Sequence, residues 1–353
     1  MLREELHKLF KRRLVWVVFL GMMLLIAVSQ CYYHSGYFSG ERFGKLQERI
    51  ALFEGHRGEL TKERLGDFFR DAERFAKENV VWLSKNGWSF SYMGQFLDED
   101  GEILGVGEIF PKAHFPIQFG DFEGWTFFLD ELPRAMKFIP IFIAVTFSSL
   151  FTYERECGMQ EILLCARRGR RDCVRAKVAG AFLVTNGLYL FVLALPSAVF
   201  WFLYRGKGAD TSIQMTPWIR ESQLEMNYGE LFLHTVILSF IVINAILVLA
   251  LIVSFLAKSP MTAMCVTLGI LFVLRPDVMS VSLNDNGIAN QITALTPVNV
   301  IDTMNLAKQM PVALGGVKMQ WLNIAEAVYS AVLALGGVAL LRLMAKGRKY
   351  DAS

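Results

Sequence analysis

The side chains of this sequence that could do chemistry are its cysteines, its histidines and a few polar residues inside apolar segments. The five cysteines include no CxxC pair of the kind that binds zinc. The sequence also lacks the GxxxxGK[ST] phosphate loop and the HExxH and GxSxG motifs of hydrolases. We therefore predict that the chain is not an enzyme and that it holds no metal, no catalytic residue and no cofactor of its own.

Three polar residues lie in or near long apolar segments, where burial in lipid is costly and a polar group is a candidate for function. They are His234, Asn244 and Glu326. Each could contact a transported substrate. Alternatively, Asn244 bridges two helices, while His234 and Glu326 lie close enough to the surface to reach water.

Long apolar segments must position these residues, and they dominate the composition. Of the 353 residues, 54% are hydrophobic, and about 20 apolar residues suffice to cross a bilayer core. The sequence therefore predicts an all-α integral membrane protein with six transmembrane helices. The spans are residues 14–32, 136–153, 178–204, 231–257, 260–274 and 321–344. A net charge of +3 is too small to predict nucleic-acid binding.

Basic residues at the ends of these segments predict orientation, because cytoplasmic loops are enriched in Lys and Arg. Residues 1–13 form an interfacial helix with Leu2, Leu6, Leu9 and Phe10 on one face. Its basic flank places the N-terminus in the cytoplasm. The fifth span is short, but without it the basic tail, residues 345–353, would lie outside. Both termini are therefore predicted to be cytoplasmic.

About a hundred residues separate the first two spans and predict an extracellular domain, residues 33–135. Its first half reads as two helices, one starting at Ser39 or Gly40 and one capped by Thr61. The second half is rich in aromatic residues and glycine and could hold a small sheet. We therefore predict that the extracellular domain is mainly α-helical, with an α+β fold as the alternative.

Three other segments complete the predicted outer side. Residues 121–136 carry apolar side chains along one helical face and predict a helix on the outer leaflet. Residues 205–230 form an outer loop. Residues 275–320 form another, which could re-enter the membrane where protein or water covers its backbone.

A charged loop, residues 154–177, follows the second span. Seven basic residues outnumber four acids there, so the loop is predicted to face the cytoplasm. The basic residues are Arg155, Arg167, Arg168, Arg170, Arg171, Arg175 and Lys177, and the acids are Glu154, Glu156, Glu161 and Asp172.

The order of residues in this loop resembles the permease family of type 2 ABC exporters. In that family the second span leads into an acidic pair, Gly-Thr, a short apolar stretch, and then Arg and Lys before the third span. The matching residues here are Glu154, Glu156, Gly158, Glu161, Leu163, Leu164, Arg170 and Lys177. Met159 stands where Thr is usual, and Arg167 stands where Pro is common.

The resemblance implies a mechanism and partners. The chain would be a permease subunit of an ATP-driven exporter in the plasma membrane of a bacterium, and would dimerise with a second copy or a homologous permease. A separate ABC ATPase subunit would hold ATP and Mg²⁺. The loop would form a coupling helix in a groove of that ATPase, with Ile162, Leu163 and Leu164 packed in the groove. Its polar rim would be Glu154, Glu156 and Arg170, with Lys177 at its end.

Two alternatives stay open at this point. The loop could be a generic basic loop that only sets topology. The chain as a whole could be a membrane sensor or immunity protein whose extracellular domain binds a ligand without transport.

Overall fold

The computed structural model describes residues 2–34, 40–79, 94–156, 169–272, 293–314 and 317–346. Most of them are helical. In chain order the helices and strands are α1 (Leu2–Phe10), α2 (Arg13–His34), α3 (Gly40–Gly55), β1 (Gly58–Glu59), α4 (Lys62–Glu78), α5 (Val106–Ile109), β2 (Gln118–Phe119), α6 (Glu123–Met136), α7 (Phe138–Phe147), α8 (Thr152–Glu156), α9 (Gly169–Tyr204), α10 (Tyr228–Leu256), α11 (Pro260–Phe272), α12 (Thr303–Lys308), β3 (Val312–Leu314), β4 (Val317–Met319) and α13 (Trp321–Lys346).

Within these residues, four helices are long and apolar enough to cross a membrane: α2, α9, α10 and α13. They coincide with the predicted first, third, fourth and sixth spans. The predicted second and fifth spans contain the shorter apolar helices α7 and α11. Helix α7 follows α6 directly, since Lys137 between them keeps helical backbone angles. The all-α membrane fold is thus supported, while the count of six spans and their orientation stay predictions.

Helix α9 differs from its predicted extent. It begins at Gly169, so the residues from Gly169 to Lys177 belong to the same helix as the third span. The predicted loop therefore ends in helix. Helix α9 also continues through Pro196, whose missing N–H leaves one helical bond unmade.

Short helices and strand pairs form a domain between α2 and α6, which we call the head domain; residues 205–227 complete it. Strand β1 pairs antiparallel with β2, and Leu97 bridges Ile103. Ser212 N–H then donates to the Gln118 carbonyl at 3.0 Å, which ties the later segment to β2. The sheet content predicted as an alternative is limited to such short pairs among the described residues.

Periodicity placed the first two head helices correctly. Helix α3 begins at Gly40 and buries Leu46, Ile50 and Phe53. Thr61 caps α4, and its hydroxyl accepts a hydrogen bond from the Arg64 amide at 3.2 Å. The apolar faces of the two helices meet, with the rings of Phe53 and Phe68 4.7 Å apart. The second half of the domain was noted for its aromatic residues. Four of these lie outside the described residues, namely Trp82, Trp88, Phe90 and Tyr92.

A charged cluster lies inside the head domain. Arg49 on α3 is 1% exposed and forms ion pairs with Glu123 and, at 3.4 Å, with Asp121. Burial raises the pKa of Asp121 above its ordinary value, and the Arg49 guanidinium lowers it in part. Gly208, at φ +77°, lies against the Asp121 carbonyl so closely that a Cβ there would stand 1.7 Å from that oxygen.

Helix α6 joins the head domain to the membrane helices. Its Phe128 ring stacks on Phe200 of α9 at 4.5 Å, and Trp125 lies 4.6 Å from the same ring. Phe232 of α10 closes the cluster 5.4 Å from Phe128. The apolar face predicted to lie on the outer leaflet therefore packs on protein. The prediction that this face of α6 contacts the outer leaflet was therefore wrong, because the face contacts α9 and α10.

Helices α10 and α13 pack closely along their lengths. A Cβ at Gly336 would lie 2.9 Å from Val248, so only glycine allows this approach. Gly337 has no atom within 4 Å of such a position. Of these two adjacent glycines, Gly336 is thus part of the helix interface and Gly337 is not.

Candidate functional site

The predicted site residues fall into two regions of the structure. The loop after the second span lies at the ends of α8 and α9 that are predicted to be cytoplasmic, which we call the inner ends. His234, Asn244 and Glu326 lie between the long helices. The two regions are connected by helix α10, whose Leu256 end lies at the first region.

Part of the loop lies outside the described residues, namely residues 157–168, and with it the predicted contacts Gly158, Ile162, Leu163 and Leu164. Glu154 lies on α8 and Arg170 on α9. Glu156, the last residue of α8, is exposed. Lys177 is 4% exposed and so is buried in the protein. The resemblance, which placed Lys177 at the end of the loop, did not predict this burial.

The two ends of the loop meet at Phe151. The Lys177 ammonium lies 5.8 Å from the centroid of the Phe151 ring, within cation–π range. The Phe151 amide donates to the Ser254 hydroxyl at 3.0 Å, and its ring lies edge-on to Phe255 at 5.1 Å. Both ends of the loop are therefore connected to the last turn of α10.

Helix α1 packs beside this junction. The Arg12 guanidinium lies 4.9 Å from the centroid of the Tyr153 ring and donates to the Ser149 hydroxyl at 3.4 Å. The Cys173 thiol lies 3.8 Å from a Glu5 carboxylate oxygen. Helix α1 and the residues just after it thus contact the start of the loop and the first turns of α9.

Asn244 forms hydrogen bonds with Asn186, a residue that the sequence analysis did not select. Its Nδ2 donates to Asn186 Oδ1 at 3.1 Å, and Asn186 Nδ2 donates to Asn244 Oδ1 at 3.2 Å. Each amide also donates to a carbonyl of its own helix, of Phe240 and Phe182 respectively, at 2.9 Å. Asn244 therefore bridges α10 to α9, as the second alternative for this residue expected.

His234 and Glu326 contact each other. His234 Nδ1 lies 2.6 Å from Glu326 Oε1, joining the second turns of α10 and α13. The two side chains are 29% and 25% exposed. On the next residue of α10, the Thr235 hydroxyl bonds that of Thr303 at 2.5 Å. Each polar group thus has a partner near one end of the helix bundle while keeping access to water.

An apolar groove of about 1010 Å³ opens between α1, α2, α7 and α9. Its described lining is almost wholly apolar, with Phe142, Phe182 and Phe191 contributing rings. Asn186 lies on its wall, but the amide is already committed to Asn244 and Phe182. The groove can therefore hold apolar chains through packing and offers them few hydrogen bonds.

A family model described as ABC-2 family transporter protein matches residues 1–341. The chain belongs to this family. No curated protein matches the sequence. The match covers the loop, the head domain and all the helices discussed above except the last five residues of α13. The resemblance first drawn from one loop therefore extends over nearly the whole chain.

As an ABC-2 family member, the chain is a permease subunit of an ABC transporter and a multi-pass membrane protein. Permeases of the family generally work in a membrane with ABC ATPase partners. The family match does not favour the sensor alternative. In the described part of the ABC-2 chain, no three His, Cys, Asp or Glu side chains are grouped as a bound metal would require.

Two residues of the ABC-2 chain were missed by sequence reading. Asn186 is a polar residue inside the third span, and the criterion that selected Asn244 would also have selected it. Arg12 was read only as part of the basic flank of α1. Nothing in the sequence indicates that its guanidinium reaches Tyr153, because that contact depends on how α1 folds back beside α9.

Proposed function

We propose that this chain is the permease subunit of an ATP-driven exporter and that its loop after the second span transmits ATP-driven closure to the membrane helices. The observation that carries this proposal is the junction at Phe151. Phe151 precedes the loop and Lys177 ends it, and the Lys177 ammonium contacts the Phe151 ring. The Phe151 amide also donates a hydrogen bond to the Ser254 hydroxyl of α10.

Such a junction supports mechanical coupling. A partner that pushes on the loop displaces both of its ends together, because they contact each other. The displacement reaches α10 through the Phe151 amide and its ring contact with Phe255. Helix α10 then carries it along its packed interface with α13, where Gly336 lies against Val248. Packed side chains and rigid helices are the kind of contiguous network that carries coupling between distant sites.

The proposal assigns nucleotide chemistry to a partner. A separate ATPase subunit binds ATP and Mg²⁺ and hydrolyses the nucleotide, while this chain is no enzyme and binds no cofactor itself. Ile162, Leu163 and Leu164 are the apolar anchors of the loop in that subunit. Glu154, Glu156, Gly158 and Arg170 lie around them, and Lys177 anchors the loop to Phe151. Two polar pairs lie along the proposed translocation path between the helices, where they contact the substrate or hold neighbouring helices together. They are Asn186–Asn244 and His234–Glu326.

We further propose that the permease acts as a dimer, with a second copy or a homologous permease, in the plasma membrane of a bacterium. Co-purification of the full chain from its native membrane tests both statements. The proposal expects an ATPase subunit that carries a phosphate loop to co-purify, and the permease to be recovered either as two copies of this chain or as a pair with a homologous permease. A chain recovered alone or with a kinase contradicts it and favours a sensor.

A further inference from the structure

A basic pocket lies at the inner end of the helix bundle, between α1, the start of α8 and the first turns of α9. Its volume is about 280 Å³. Four of the described lining residues are bases and one is an acid, with a tyrosine and two leucines completing the wall. The charged residues are Lys8, Lys11, Arg12, Lys177 and Glu5.

We infer that this pocket binds the phosphate group of an anionic phospholipid from the inner leaflet. The inference concerns a lipid site and does not depend on the exporter proposal. It depends on three features of the pocket, which are the charge of its wall, the burial of one of its lysines and its position at the end of the apolar spans.

The charge of the wall selects an anion. Four cations face one carboxylate, and that carboxylate is already in contact with Lys8 at 2.7 Å. Arg12 is held in place by Ser149 and by the Tyr153 ring, which are both uncharged partners. The guanidinium therefore retains its full charge at the pocket wall, where it can form paired hydrogen bonds to phosphate oxygens.

Lys177 distinguishes the pocket from an ordinary basic surface. Its side chain is 4% exposed, and its ammonium lies over the Phe151 ring. Because little water surrounds this ammonium, an anion that enters the same cavity interacts with it at a lower dielectric than in bulk water. The volume of the pocket accommodates a phosphodiester with a few waters.

Position selects a lipid over other anions. The pocket lies where α1 meets the first span, and the neighbouring exposed side chains Phe10, Leu14 and Trp16 are apolar or interfacial. A phospholipid can place its phosphate in the pocket and its acyl chains along these side chains. Basic pockets between helices on the cytoplasmic side are a recognised form of anionic lipid site.

The test uses the full chain in a neutral detergent and measures binding by native mass spectrometry. The probes are short-chain phosphatidylglycerol, phosphatidylcholine with the same acyl chains, and inorganic phosphate. The inference expects one phosphatidylglycerol per chain, bound at least tenfold more tightly than phosphatidylcholine. Inorganic phosphate should fail to displace it at equal concentration. Equal binding of both lipids, or displacement by phosphate, overturns the lipid assignment.

A matched pair of variants locates the site. The double variant Lys8→Gln/Lys11→Gln removes two charges from the pocket wall and should weaken phosphatidylglycerol binding at least tenfold, since each removed charge is expected to cost about fivefold. The control Arg3→Gln/Arg13→Gln removes two charges from the same end of the chain without touching the pocket. It should change binding less than twofold. Equal losses in both doubles would show diffuse surface attraction and contradict a specific site.

Discussion

Asn186 and Asn244 exchange side-chain hydrogen bonds in both directions, at 3.2 and 3.1 Å, and so join α9 to α10 within their apolar lengths. Each amide uses its remaining hydrogen on a carbonyl of its own helix. The pair therefore places two polar groups inside the bundle with their hydrogen-bonding capacity largely filled. This arrangement is the condition under which buried polar groups are tolerated.

Replacing one member of this pair should strand the amide of the other, so the costs of the two replacements should not add. Asn244→Leu leaves the Asn186 amide without its partner, and we expect a loss of about 1–2 kcal/mol in the free energy of unfolding. The double variant Asn186→Leu/Asn244→Leu should lose less than the sum of the two single variants. Thermal unfolding of the full chain in detergent measures all three.

Thr185→Val serves as the control for this cycle. Thr185 is fully buried on α9 beside Asn186, and its hydroxyl bonds no partner in the described residues. Its replacement should change stability by less than about 0.5 kcal/mol or increase it. Additive single and double variants would show that the two amides are not coupled.

Arg49 is expected to be the most sensitive charged residue of the head domain. Arg49→Met would leave Asp121 and Glu123 buried without their cation, and breaking such a cluster costs about 3–5 kcal/mol. Arg70→Met is the matched control, because Arg70 is 78% exposed and pairs with Asp67 on the same helix. It should cost less than about 1 kcal/mol. Equal melting temperatures for the two variants would contradict the buried cluster.

The stability of the head domain should depend on pH through Asp121. Burial raises the pKa of its carboxyl in the folded state, so the folded protein holds this proton to a higher pH than the unfolded chain does. The contribution of Asp121 to stability therefore falls as pH rises from the ordinary aspartate pKa, about 3.9, to the raised folded value.

Asp121→Asn removes this titration. The melting temperature of the wild-type protein should decrease relative to that of the variant as pH rises through this window, and the difference should become constant above it. Parallel melting curves over the whole window would show that the carboxyl does not titrate differently in the two states.

The topology predicted from basic residues can be tested by cysteine labelling. In a cysteine-free background, Lys258→Cys and Tyr350→Cys should not react with an impermeant maleimide added to intact cells, because both positions are predicted to be cytoplasmic. Lys207→Cys should react, since Lys207 is 52% exposed on a predicted outer loop. Labelling at position 258 or 350 from outside would contradict the six-span arrangement.

Local patterns predicted much of this fold. The predicted start at Ser39 or Gly40 located α3, and Thr61 identified the start of α4. The hydropathy of α2, α9, α10 and α13 placed the four long helices. These features depend on residues close together in the chain, which is why a single sequence reveals them.

Contacts between distant segments could not be predicted in the same way. Glu123 was an ordinary acid at a helix start until Arg49, 74 residues earlier, was found beside it. His234 and Glu326 were each named as polar residues near the surface, but their pairing depends on how α10 and α13 align. The start of α9 at Gly169 was missed because its first turns are rich in charged residues and lack the apolar pattern of a membrane span. Charged residues such as Arg and Lys nevertheless form helix readily.

The central claim is that the loop after the second span couples this permease to an ATPase. If apolar anchors hold the loop in a groove, each buried leucine contributes about 1.5–3 kcal/mol, whereas an exposed ion pair contributes less than about 1. The decisive measurement is ATPase association and transport-linked ATP turnover for three variants with normal membrane insertion. Leu163→Asp should abolish both, Glu156→Ala should reduce both in part, and Arg171→Ala should leave both nearly unchanged. Unaltered association and turnover in Leu163→Asp would contradict the coupling role of this loop.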